Sequence, residues 1–591
     1  MTNNFISSSP RVYLWVALAA LLLLNYEAWM RDYAPPPGVT TSASAPLANP
    51  AATPAGNDLA NRIPGTSAPA AAAGNAGATG SAGASAQPPA TSAAALAAVV
   101  PGASTSAATS ATVAAAAPVV HVRTDVLDLD ISTRGGTLDR LDLLAYPLVK
   151  GEPTPVRLEN QDPASLYVLQ SGLTGPEGAA YPTHLATWTS ATDSYALDGG
   201  NELRVPLTWS GGGVSVTKTF VFHRTSYRID VDYAVHNGGA AAWTTRPYAQ
   251  IRREDPPTKR SYFNTSSYAF HGPALYDGTK YRKLEMTDTQ DSHLALDVRN
   301  GWIAALQHYF VSAIVPPREV PWHFGLEVAG QQYLLTATGP EKTVAPGDSA
   351  QFTTTLFAGP KLQAQLEATS PELGHVADYG RLYFLAQPLF RALAFVHKVT
   401  GNWGVAIILV TLLLKMIFYP LSEASGRSMA KMKTLQPRIK NLQETYKDDR
   451  EKLGKAMMEL YQREKINPVA GCLPIVIQIP VFIAFYWALL ESVEMRQAPF
   501  AFWIHDLSSK DPWFILPGIM AVAMFVQYKL NPAPPDPVQA KVFMFMPLVM
   551  SATFAFFPAG LVLYWVTNTL LSIAQQWNIN RRIEAAMGKR T

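Results

Sequence analysis

The chain has 591 residues, too many for one ordinary core, and a formal charge of only +3 from 47 Lys/Arg and 44 Asp/Glu. So small an excess argues against direct nucleic-acid binding, and the single cysteine, Cys472, excludes an intramolecular disulfide. None of the 11 histidines falls in HExxH or paired-ligand spacing, and no GxxxxGK or GxGxxG precedes a helical pattern, so no metal, nucleotide or other cofactor is implied.

Residues 1–33 contain RVYLWVALAALLLLNYEAWM (11–30), a basic start and an apolar run closing in Tyr26 and Trp29. Bulky residues stand where a signal peptidase would need small ones, so the segment reads as an uncleaved transmembrane anchor of about the ~20 residues a span requires. Residues 34–118 are almost wholly Ala, Pro, Ser, Gly and Thr. Such a composition cannot bury enough surface to offset its conformational entropy, and a disordered tether is expected.

From 119 to 365 the pattern changes to short β-type runs. In VSVTKTFVFHRTSYRIDVDYAVHN, Val214, Val216, Lys218, Phe220 and Phe222 alternate with other residues, and Tyr227, Ile229, Val231, Tyr233 and Val235 do so after HRTS. Period two on both sides of a turn predicts an antiparallel hairpin, and its recurrence predicts a large β-sandwich. The stretch 366–400 is a linker followed by a helix from Arg381 with Gln387, Arg391 and Lys398 among Leu and Phe. It is too charged to cross a bilayer and apolar enough to lie on one, bent at Pro388.

Residues 401–577 carry four apolar runs, about 402–420, 473–493, 513–530 and 541–577. The Pro and Gly of FFPAGL divide the last into two helices, giving five spans here and six with the anchor. The loop 421–470 holds eleven Lys/Arg against seven Asp/Glu, whereas 494–512 has only Arg496 and Lys510 as cations; the segment 578–591 is again basic. By the positive-inside rule 421–470 and both termini face the cytosol and the β-domain lies outside. Within 421–470, Met429, Met432, Gln436, Ile439 and Leu442 form one helical stripe and Leu453, Met457, Leu460 and Tyr461 another, which predicts an antiparallel helical hairpin. It reads either as a self-packed connector or as a landing site for anionic lipid, ribosome or emerging chains.

Lys415 sits in TLLLKMIFYPLS, five residues before Pro420 and roughly 7–8 Å from the end of its helix. A cation at the bilayer centre costs ~2.5–3.5 kcal/mol on insertion scales. Either its stem snorkels to the surface or it faces water inside the bundle. Polar residues at comparable depth bear on the choice: Gln478 beside Pro480, Gln527, and Asn568, Ser572 and Gln576 spaced by four on one helix face. Those three could also be ordinary helix-helix hydrogen bonding. If the polar faces converge, they make a hydrated, positively charged recess open to the cytosol. A fixed cation without an acidic partner suits brief shelter of a hydrophilic tail in transit better than proton coupling.

The stretches NWGVAIILVTLLLKMIFYPLS, SMAKMKTLQPRIK, INPVAGCLPIVIQIPVFIAFYWAL, QAPFAFWIHDLSSKDPWFILP and FPAGLVLYWVTN closely resemble the YidC family of bacterial membrane protein insertases in its Gram-negative form. The resemblance runs through the whole chain in order. It implies six transmembrane helices, a periplasmic β-supersandwich and a cytosolic helical hairpin in the bacterial inner membrane. The activity implied is an insertase and foldase without catalytic turnover, acting on nascent membrane proteins alone or beside the Sec translocon, with ribosome and anionic lipids as further partners. It also implies a hydrophilic groove of Thr411, Lys415, Ser572 and Gln576, in which Lys415 stands where the family usually has Arg; Gln527 and Asn568 join the expected groove by their own polarity at that depth. Client contact falls to Ile479, Pro480, Phe482, Tyr564 and Trp565, with Phe485 and Tyr486 on the same slide. Client reception falls to the hairpin residues Met429, Lys431, Met432, Lys433 and Arg438. The rival class is a transporter or exporter with a carbohydrate- or lipid-binding outer domain; it would need inverted repeats or titratable intramembrane pairs, and neither is visible.

Overall fold

A computed structural model describes residues 59–64, 118–255, 267, 269–377, 379–446, 449–464, 473–530 and 537–588. The expected anchor, most of the expected tether and the last three residues lie outside the described residues.

The alternating runs form two sheets, one of 11 strands and one of 9, that share one buried core. The hairpin read from the sequence is strands Val214–His223 and Arg228–Asn237, antiparallel with Phe222 opposite Ile229 and Val216 opposite Val235. The turn is closed by Thr225 at φ 56°. Val216, Phe220, Phe222, Ile229, Val231, Tyr233 and Val235 all point inward. Lys218 occupies the same inward row and is fully buried. Its Nζ donates to the carbonyls of Gly136 (2.6 Å) and Ser171 (2.9 Å) and lies 4.9 Å from the Phe220 ring centre. Carbonyl dipoles and ring faces solvate it in place of water, and burial holds its pKa well below the ordinary lysine value.

One stretch departs from the expected tether. Residues Leu59–Asn61 form a turn of 3-10 helix, and Leu59 is buried.

Ten helices follow the sandwich among the described residues: α1 (Gln363–Thr369), α2 (Tyr383–Thr400), α3 (Trp403–Ile417), α4 (Tyr419–Thr434), α5 (Gln436–Thr445), α6 (Arg450–Arg463), α7 (Leu473–Glu491), α8 (Ile515–Leu530), α9 (Pro537–Phe554) and α10 (Ala559–Gly588). Helix α2 is the one expected at the interface: Ala386, Leu389, Phe390 and Leu393 are buried, while Phe384, Phe395 and Val399 are exposed. Pro388 lies inside it. Gly401 ends α2 at φ +67°, and Asn402 caps α3 by accepting the Val405 N–H at 3.1 Å.

No single described helix is long and apolar enough to cross a membrane; the pair Trp403–Ile417 and Tyr419–Ser428, bent by 61°, is by length and composition. The run 402–420 therefore stops as a straight helix at Ile417. The run 541–577 breaks between Phe554 and Ala559, as the Pro-Ala-Gly signal requires. Gly560 N donates to Leu507 O and Ala559 N to Ser509 O, so the loop supplies acceptors to the first donors of α10. Helix α10 then continues to Gly588, through most of the segment read as a separate basic tail.

The predicted two-stripe hairpin is built from three helices. Met429 and Met432 belong to α4, and the chain breaks at Leu435 before Pro437 starts α5. The break rotates Leu435, not Gln436, into the small core with Ile439 and Met457, against which Met432, Leu453, Leu460 and Tyr461 pack.

The loop after α7 touches the sandwich. Lys150 Nζ donates to Gln497 O at 2.6 Å, Arg496 to Pro147 O at 2.8 Å, and His308 Nε2 to Leu490 O at 2.9 Å. Lys361 and Glu491, both buried, stand 3.8 Å apart.

Candidate functional site

Helices α3, α7 and α10 pack around one apolar cluster containing Ile407, Val410, Val481, Phe485, Val562 and Tyr564. The packing leaves a small recess of about 30 Å³, room for one water, beside Lys415. Thr411, Leu414, Lys415 and Phe418 of α3 line one side, Ile477, Gln478 and Val481 of α7 another, and Tyr564 and Asn568 of α10 the third. Leu421 and Ser422 of α4 reach it from the bend.

Lys415 is half-buried and turns inward: its Nζ donates to Ser572 Oγ at 2.7 Å. Ser572 in turn donates to Asn568 O at 2.7 Å, one helical turn back, which presents the Ser572 lone pairs to the ammonium. The side-chain amide of Gln478 donates to Asn568 Oδ1. The result is a polar chain Lys415–Ser572–Asn568–Gln478 across α3, α10 and α7. Among the described residues, no carboxylate lines the recess.

Of the expected groove residues, Thr411, Lys415 and Asn568 line this recess and Ser572 joins through Lys415. The Thr411 hydroxyl donates to Ile407 O of its own helix at 2.6 Å. Gln527, on α8, and Gln576, one turn beyond Ser572, are both half-buried and neither lines the recess. Gln478 does line it and is absent from the expected groove set, although its polarity inside an apolar run was the signal that marks it.

The expected client face divides. Ile479 and Pro480 are exposed on α7, with Val476 and Ile483 beside them. Phe482 and Trp565 are half-buried and meet edge-to-face at 4.7 Å. Tyr564 is buried, stacked on Phe485 at 4.4 Å, and reaches the recess from within. Phe485 is fully buried and belongs to the packing core, because its position on α7 faces α10. Tyr486 is half-buried, edge-on to Trp487. In the hairpin, Arg438 pairs with Glu464 at 2.7 Å and Met432 packs inward. The side chains of Met429, Lys431 and Lys433 lie outside the described residues.

A large β-sandwich joined to apolar helices that enclose a lysine-centred polar recess defines a multi-domain membrane protein. Residues 119–392 match the model of the YidC periplasmic domain, and 395–586 match that of the 60Kd inner membrane protein. The membrane protein insertase YidC of Thioalkalivibrio sulfidiphilus is 50% identical over 481 residues, 79% of this chain and 85% of the relative. That of Nitrosococcus oceani is 43% identical over 97% of this chain and 99% of its own. A solved active YidC insertase with its first transmembrane domain resolved aligns with 78% of this chain and 94% of that one, at 19% identity and a TM-score of 0.35. The chain belongs to the YidC family: it is an inner-membrane insertase with a periplasmic domain, and its clients are membrane proteins.

Proposed function

We propose that the recess around Lys415 is the groove that receives the hydrophilic part of a client, open to the cytosol and to lipid, and that the client's apolar segment leaves along α7. Thr411, Lys415, Asn568 and Ser572, with Gln478 added, hold the polar part; Gln527 and Gln576 extend the polar path beyond the recess. Ile479 and Pro480 meet the client directly, with Phe482 and Trp565 behind them and Tyr564 forming the wall. The inward turn of Lys415 onto Ser572 carries this reading, because a snorkelling lysine would instead point to the bilayer surface.

The helices themselves support it. Exposed Val476 and Ile479 on α7, Val522 on α8 and Val542, Phe545, Leu548 and Val549 on α9 give the outer surface that lipid requires.

In this reading the chain crosses six times: the anchor 1–33, then α3, α7, α8, α9 and α10. The domain order is the tether 34–118, the β-domain 119–365, the linker with its interfacial helix 366–400, and the core 401–577 with the hairpin 421–470 in the cytosol, followed by a cytosolic 578–591. Met429, Lys431, Met432, Lys433 and Arg438 meet incoming clients, anionic lipid or the ribosome there, and Sec translocon components are lateral partners. The mechanism needs no catalytic turnover.

The test is thiol accessibility. In a Cys472→Ser background, single cysteines at positions 415, 568 and 572 should react with a membrane-impermeant reagent added from the cytosolic side, whereas one at Val410, buried in α3, should not. Equal protection of all four would place the polar chain in dry helix packing and end the groove reading.

A further inference from the structure

Within the Ala/Pro/Ser/Gly/Thr stretch 34–118, the only charged residues are Asp58 and Arg62, and they flank the short helix at Leu59–Asn61. This island lies against the 11-stranded sheet. Leu59 is 5% exposed. Arg62 Nε stands 3.0 Å from a carboxylate oxygen of Glu327, on strand Trp322–Ala329. The side-chain amide of Gln250, on strand Trp243–Glu254, donates to Arg62 O at 3.4 Å.

The fourth contact fixes a tautomer. Tyr248 Oη accepts the His184 backbone N–H at 2.9 Å, so its own proton goes to His184 Nδ1 at 2.7 Å. Nε2 then carries the ring hydrogen and donates to Ala60 O at 3.2 Å. His184 and Gln250 are buried, at 2% and 0% exposure. Two interior donors of the β-domain are therefore aimed at main-chain carbonyls of a segment far away in sequence, and that segment forms one wall of a groove of about 300 Å³ lined also by Ser132, Gln170, His184 and Arg252. Burial pulls the His184 pKa down to about 4, which keeps the ring neutral and its donor in place at ordinary pH.

We propose that this face of the 11-stranded sheet is a peptide-binding site of the β-domain, and that its ligand is the chain's own Leu-Ala-Asn-Arg-Ile-Pro segment, 59–64. A branched aliphatic residue is buried, two main-chain carbonyls accept from His184 and Gln250, and an arginine three residues later meets Glu327. The consequence is geometric. Between the anchor and the β-domain lie about 84 residues, which can extend to nearly 300 Å; pinning at Leu59 leaves about 25, which reach at most ~90 Å.

The chain carries its own reporter, because Arg62 is the sole Lys or Arg between Arg31 and Arg123. Trypsin needs an undocked strand, so cleavage after Arg62 in the full-length protein under limiting protease follows the undocked population. Leu59→Ser should speed that cut by about tenfold or more. Glu327→Ala, which removes only a partly exposed ion pair, should speed it by roughly two- to fivefold. Cuts elsewhere in the β-domain should keep their wild-type rates, and Leu59→Met should behave as wild type. Wild-type protein cut after Arg62 as fast as Leu59→Ser would overturn the proposal. So would a Leu59→Ser variant cut faster throughout the β-domain, since the segment would then be part of the domain's core and not its ligand.

Discussion

Neutralising Lys415 should change which clients the protein can insert. The recess is about 30 Å³, room for a single water, so a client carboxylate passes its mouth, on the order of 7 Å from Nζ. At that separation one unit charge attracts another by ~1–2.5 kcal/mol for effective dielectric constants of roughly 20–40, appropriate to a wet site. Lys415→Met should therefore slow insertion of a client with one acidic residue in its translocated tail by roughly 5- to 70-fold relative to the same client with Asn there. Lys415→Arg keeps the charge and should stay within about threefold of wild type, because Ser572 needs only a donor. The assay is protease protection of single-span clients after reconstitution of the full chain into vesicles, with acidic and neutral tails run in parallel. Equal slowing of both clients by Lys415→Met, in protein that is folded and abundant, would refute an electrostatic role and leave the lysine only a packing one.

Two further outcomes follow from the packing. Burial pulls the imidazoles of His184, His271 and His308 down to about 4, 4 and 3, and pushes the carboxyls of Glu159 and Glu494 up to about 8 and 7. As pH falls below about 6.5 the unfolded chain protonates three imidazoles that the fold keeps neutral, which outweighs two carboxyls acting the other way. One net proton is worth about 1.4 kcal/mol per pH unit, so stability should drop by roughly 1–1.5 kcal/mol per unit between pH 6 and 4.5. Above 6.5 the imidazoles cease to contribute. The carboxyls lower stability with rising pH, buried Lys218 opposes them, and the curve should flatten. Thermal midpoints of the full chain by tryptophan fluorescence test this, and a midpoint at pH 5 equal to that at pH 7 would contradict it. Separately, a methyl group on Gly404 would come within 2.0 Å of Phe500 Cδ2, where α3 passes the loop before α8. Gly404→Ala should cost about 1–3 kcal/mol by overpacking, read as a lower unfolding midpoint that Phe500→Ala partly restores; an unchanged midpoint would show that the loop yields freely.

The β-sandwich was legible because period two is a strong signal when one face is buried, and even Lys218 kept its place in the inward row. What hairpin spacing cannot convey is why a lysine is tolerated there, since its carbonyl partners come from Gly136 and Ser171, far away in sequence. The same limit explains the site. Lys415 and Ser572 announce themselves as polar residues in apolar runs, but Asn568, Ser572 and Gln576 share a face by spacing alone, and which of them reaches the recess depends on where α10 crosses α3. Phe485 and Ile479 are both apolar residues of one helix; only the position of α10 buries the first and leaves the second exposed. The helical hairpin failed in detail for a local reason, because Pro437 restarts the helix and shifts the stripe from Gln436 to Leu435. Leu59–Pro64 was overlooked because composition averages over a long bland stretch hide six specific residues.

The β-domain and the recess are connected through one loop. Residues Arg496 and Gln497 are gripped by the sandwich at Pro147 and Lys150. Ten residues on, Leu507 and Ser509 accept the first backbone donors of α10, the helix that carries Asn568 and Ser572. These contacts run from the 147–150 turn of the β-domain to the start of α10, and His308 with Leu490 and Lys361 with Glu491 add contacts from the 9-stranded sheet to the end of α7. Strands Val214–His223 and Arg228–Asn237 lie in the 9-stranded sheet, separated by strand Ser349–Pro360 from strand Phe310–Val315. Sequence changes there need only preserve the fold, whereas the 147–150 turn, the 496–509 loop and the start of α10 must keep their mutual geometry for the recess to keep its shape.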